Sequence, residues 1–189
     1  VGTNGCISNC GTSIVIGLPP AVFRKIGYFE AFDSSRPCLN MPVTSFDTTG
    51  YTHIHLAFAT ITLDWDVDVI PIQDQFLNFV QMTGFKKILS FGGWTFSTDP
   101  STYFIFRQAM EEPNRDTFVA NVVAFVKKYN LDGVDFDWEY PAEPDIEGIP
   151  HGTAVEGLNY FLFLNDLRNS LPAGTSLSIA APASFVSEF

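Results

Sequence analysis

The chain has 189 residues, 46% of them hydrophobic, and a formal net charge of −11 at pH 7. That length and composition suit one globular core, while the acidic balance excludes nucleic acid and anionic membrane as partners, because both need basic patches. No apolar run approaches the ~18 residues of a membrane span, and a neutral polymer is the partner best suited to the 15% aromatic content, most of which is Phe that fills the core.

Residues 1–22 carry Gly, Ser and the stiffening pair Pro19-Pro20, and read as a linker or module remnant. The chain opens at Val1 with no charged-then-apolar leader pattern, so it is expected to be a processed product or a fragment. Cys6 and Cys10 are too loosely spaced for a redox C-x-x-C, and no His/Cys set for zinc lies nearby. They suit a small disulfide loop in an oxidising compartment, which leaves Cys38 without a partner.

A first strand is predicted at 24–29 and a second at 52–59. A helix follows over about 72–82, with an apolar stripe at Phe76, Leu77 and Val80 and Gly84 beyond its end. Residues 86–92 form the third strand. The next helix covers 113–129, apolar at Phe118, Val122, Phe125, Val126 and Tyr129, and closes on Asn130. The fourth strand starts at 131. A helix over 158–171, apolar at Phe161, Leu162, Leu164 and Leu167, then leads through Pro172-Ala173-Gly174 to a fifth strand at 176–181. Strands alternating with helices every ~30–45 residues imply parallel βαβ units.

The fourth strand carries the chemistry. Acidic residues at Asp135, Asp137 and Glu139 alternate with the apolar Val134, Phe136 and Trp138, the period of a strand with one carboxylate face. Like charges stacked this closely must hold a proton or find partners, so perturbed pKa values are expected. An EF-hand loop needs Asp/Asn at alternate positions, a Gly at the sixth and a Glu at the twelfth; counting from Asp132 or Asp135 gives no such pattern. A divalent-metal site at a strand end and a solvated strand face remain as other readings.

Asp132-Gly133-x-Asp135-x-Asp137-Trp138-Glu139 resembles the D-G-x-D-x-D-x-E signature of family 18 glycoside hydrolases. The family's S-x-G-G motif stands upstream as Ser90-Phe91-Gly92-Gly93, followed by Trp94. The closest flavour is that of fungal chitinases of the killer-toxin-subunit type. Residues 5–11 also resemble the last loop of hevein-like chitin-binding modules. The resemblance implies a (β/α)8 TIM barrel, here cut to roughly its first five βα units over 23–189. The family's later Met-x-Tyr-Asp segment has no match.

The resemblance further implies hydrolysis of β-1,4 N-acetylglucosamine linkages by a retaining, substrate-assisted route. Glu139 is then the general acid and base, its pKa raised by the carboxylates beneath it. Asp137 orients the N-acetyl group, and Asp135 lies deepest and shares a proton with Asp137. Tyr28 and Ser90 are expected to hydrogen-bond Asp135. Trp94 and Tyr140 are the sugar-contact candidates, Phe58 a pocket wall, and Gly92 and Gly93 points of close approach. Trp138 should face the helices, and His53 and His55 are read as structural. The implied partner is chitin or chito-oligosaccharides, with no metal and no cofactor, and the protein is expected to be secreted, extracellular and monomeric. A carbohydrate-binding protein or inactive fragment without turnover, and an enzyme acting on the chitobiose core of N-glycans, are the alternatives.

Overall fold

The computed structural model describes residues 22–38 and 40–182. The proposed linker and module remnant, with Cys6 and Cys10, lie outside them apart from residue 22. Cys38 is exposed and not in a disulfide.

Five parallel strands form a sheet in the order β1 (Ile26–Glu30), β2 (His53–Ile61), β4 (Lys86–Gly92), β5 (Gly133–Asp137) and β6 (Ser176–Ile179). The two-residue β3 (Val67–Asp68) pairs antiparallel with the end of β2. Helices α1 (Gln73–Gln81), α4 (Glu112–Tyr129) and α5 (Ala154–Ser170) are the long crossovers, and α2 (Gly93–Thr98) and α3 (Phe104–Ala109) are short ones following β4. This is an incomplete (β/α)-barrel.

Alternation along the strands divides the sheet into two faces. Leu89 and Phe91 of β4 and Val134 and Phe136 of β5 point to the helices, and all four are buried. Phe91 stacks on Phe136 with ring centroids 4.9 Å apart, and Phe118 of α4 stacks on Phe163 of α5 at 5.0 Å. Each such buried side chain contributes about 1.5–3 kcal/mol. Ser90, Asp135 and Asp137 take the other face, and the β4–β5 register sets Ser90 beside Asp135 and Gly92 beside Asp137. Asp132 staples the strand entrances, accepting from Lys86 Nζ at 2.7 Å and from the Lys87 amide at 2.9 Å.

Several expectations shift. The fourth strand ends at Asp137, so Trp138 and Glu139 lie just beyond it. In α1 the buried residues are Phe76 and Phe79, while Leu77 is exposed. In α5 the buried face is Tyr160, Phe163 and Leu167, and Phe161 is 65% exposed. That helix has apolar residues on nearly every side, so sequence spacing did not single out one face. Asn130 does close α4, in the left-handed conformation (φ 50°, ψ 50°).

Candidate active site

Asp135 is fully buried at the centre of the inner face. Its Oδ2 accepts from Tyr28 Oη on β1 at 2.9 Å and from Ser90 Oγ on β4 at 2.7 Å, and its Oδ1 accepts from Ser178 Oγ on β6 at 2.7 Å. Burial pushes its pKa up, but the contacts from His55, Ser90 and Ser178 outweigh that and leave it below the ordinary carboxylate range. The Tyr28 phenol, in turn, is driven up by burial and by the Asp135 charge, and so stays a donor.

One step up the column, Asp137 has no such set of donors. Burial, and then the charges of Glu139 and Asp135, raise its pKa from 3.8 to about 6. Glu139 is raised by burial, with a hydrogen bond involving Tyr140 pulling the other way. The expectation that the lower carboxylates raise Glu139 therefore needs correcting: burial lifts Glu139, and the repulsion falls on Asp137. The Glu139 amide donates to Ser97 Oγ of α2 at 3.1 Å, which fixes the backbone just past the strand end.

Tyr140, the residue after Glu139, lines a groove of about 410 Å³ whose other walls include Trp94, Thr98, Glu143 and Asp145. Trp94 is 54% exposed and meets Tyr140 edge-on at 6.5 Å. Phe58 is half-buried, stacks on Phe32 at 5.9 Å and faces Gly93, where a Cβ would strike its ring. Gly92 has φ +100°, and a Cβ there would meet the Asp137 carbonyl and the Phe106 ring. Trp138 faces the helices, stacking on Phe106 at 5.7 Å.

The structure thus gathers Tyr28, Ser90, Asp135, Asp137 and Glu139 on one face, with Trp94 and Tyr140 at its rim and Phe58 against Gly93. Sequence reasoning missed Ser97 and Ser178, and did not connect His55 with Asp135. Ser178 was legible as an inward position of the fifth strand, in register with Asp135. Ser97 sits on a helix too short to leave a periodic signal. Among the described residues, no group of three or more His, Cys, Asp or Glu is placed to hold a metal ion.

Comparison with known proteins gives this geometry a family. The chain is 49% identical over 186 residues to "Secreted chitinase LysM12" of Penicillium expansum, covering 97% of this chain and 12% of that protein. It is 44% identical over 186 residues to "Killer toxin subunits alpha/beta" of Kluyveromyces lactis, covering 97% of this chain and 16% of the relative. The chain therefore spans under a fifth of the length of these relatives. The crystal structure of the chitinase RmChi1 from Rhizomucor miehei superposes with a TM-score of 0.68 at 30% identity, over 83% of this chain and 46% of that one. The profile of "Glycosyl hydrolases family 18" matches residues 24–189 and takes in the whole carboxylate column. By that match, this chain belongs to glycosyl hydrolases family 18.

Proposed function

We propose that the chain is the N-terminal part, over 23–189, of a catalytic domain that hydrolyses the β-1,4 N-acetylglucosamine linkages of chitin, with retention and with substrate assistance. Residues 1–22 are then a linker and the remnant of a chitin-binding module. The "secreted" in the name of the Penicillium relative supports an extracellular setting. One observation carries the reading: Asp135 and Asp137 on one strand face with Glu139 just beyond, Asp135 anchored by Tyr28, Ser90 and Ser178, and Tyr140 after Glu139 lining a groove with Trp94.

Glu139 gives its proton to the glycosidic oxygen as the C1–O bond breaks. The acetamido oxygen of the same sugar attacks C1 from the other face and forms an oxazolinium ion. Asp137 accepts from the acetamido N–H, which orients the group and offsets the positive charge. Water then attacks C1 as the bond from C1 to the acetamido oxygen breaks, Glu139 takes up the water's proton, and the two inversions give net retention. Asp135 stays below as an anchored anion. Trp94 and Tyr140 offer the sugar their ring faces, and Phe58 and Gly93 shape the wall.

The test is hydrolysis of a chito-oligosaccharide followed by proton NMR during the first minutes. The β-anomer should appear first at the new reducing end. First appearance of the α-anomer, or binding without any product, contradicts the proposal; the second result points to a carbohydrate-binding protein. Cleavage of a glycoprotein but not of chitin contradicts the substrate class.

A further inference from the structure

His55 on β2 is 3% exposed, and its Nδ1 lacks a hydrogen-bond partner of ordinary geometry. A polar nitrogen buried in that state calls for a reason. Nδ1 lies 3.4 Å from Asp135 Oδ2, and the ring leans on Tyr28 with centroids 4.7 Å apart. The β1–β2 register sets Tyr28 beside His55. Both side chains therefore converge on one carboxylate oxygen from adjacent strands. An ionised carboxylate can only accept, so a ring nitrogen facing it is favourable only when it carries hydrogen.

We infer that His55 is a positioning residue for the acid–base chemistry: its Nδ1–H holds Asp135 ionised, so that the working proton stays higher in the column, on Asp137 and Glu139. This rests on the column having the role proposed above. His55 touches no substrate and acts through Asp135. Tyr28 faces it from β1 and Asp135 from β5, while the in-register residue of β4 is the uncharged Ile88, with Ser90 one step up. His53, two residues back on the same strand, lies within electrostatic reach of His55, Arg24, Lys86 and Asp132. Asp135 is thus the only carboxylate against the ring among these groups.

The experiment titrates the Asp135 carboxyl by carbon-13 NMR in the full chain, in His55→Leu and in His55→Gln. Losing a donor to a charged acceptor should raise the Asp135 midpoint by about one pH unit or more in His55→Leu. His55→Gln keeps an N–H donor and should restore most of the shift. In the pH profile of chito-oligosaccharide cleavage, the acid limb should move up by a similar amount in His55→Leu, whereas a purely structural role would leave it in place. An unmoved Asp135 midpoint overturns the inference. So does a wild-type imidazole nitrogen-15 spectrum showing no proton on Nδ1, a measurement that needs no variant. Neither NMR readout requires turnover, so failure of the hydrolase reading would show up separately, as absence of product.

Discussion

Two residues of spacing on a strand set Asp135 and Asp137 ~6.6 Å apart, close enough that unlike surroundings force unlike charge states. Asp135 is surrounded by donors, and its charge is stabilised. Asp137 carries the penalty, with a pKa moved from 3.8 to about 6. A carboxyl raised in the folded state favours folding only while protonated, so its contribution is complete below pH ~4 and lost as pH rises through about 6. Asp137→Asn removes that loss. At pH 7 it should stabilise the fold by about 1–3 kcal/mol, discounted for partial exposure, and by little below pH 4, as read from urea unfolding at both values. Equal stability at pH 7 would show that Asp137 is not strained by its charge. The same variant should lose at least ~10²-fold in turnover. The alternation of charged and apolar residues made the column legible in sequence, as did the inward Tyr28 and Ser90. The division of charge between Asp135 and Asp137 was not, because it depends on donors brought to Asp135 alone from neighbouring strands.

At the scale of elements, the loop from Tyr140 to the start of α5 carries one wall of the groove, and it is pinned at both ends by one ion pair. Glu156 of α5 is 7% exposed, accepts from the Ala142 amide at 2.9 Å, and lies 3.4 Å from Arg107 Nε of α3. Arg107 Nη1 also donates to the His151 carbonyl at 3.4 Å. Glu156→Ala leaves a mostly buried guanidinium without its counter-charge and frees the Ala142 end. It should cost roughly 3 kcal/mol and expose the loop to protease, while Glu156→Gln, which keeps the acceptor, should lose less. Denaturation midpoints and limited proteolysis of the two variants check this, and a wild-type midpoint for Glu156→Ala would contradict it. None of this was visible beforehand. Residues 93–109 hold two six-residue helices, too short for a periodic stripe to form. The long α4 was readable for the opposite reason: Phe118, Val122 and Val126 recur at helical spacing and are all buried.

Across the whole molecule, strand–helix alternation sufficed for the parallel sheet, because a crossover to a parallel neighbour needs a dozen or more residues and the intervals supplied them. The order β1-β2-β4-β5-β6 places Tyr28, Ser90, Asp135 and Asp137 on one face and the Phe-rich core on the other. The short β3 could not be foreseen, since two residues carry no pattern. In this arrangement Glu139 follows the end of the strand that carries Asp137, and the next residue, Tyr140, meets the exposed Trp94. As the proton donor of the proposed reaction, Glu139 is probed by turnover of a chito-oligosaccharide by the wild-type chain and by Glu139→Gln, with binding measured alongside. Glu139→Gln should lose about 10²–10⁴-fold in rate with affinity nearly unchanged; a variant that cleaves as fast as wild type would show that another group gives the proton.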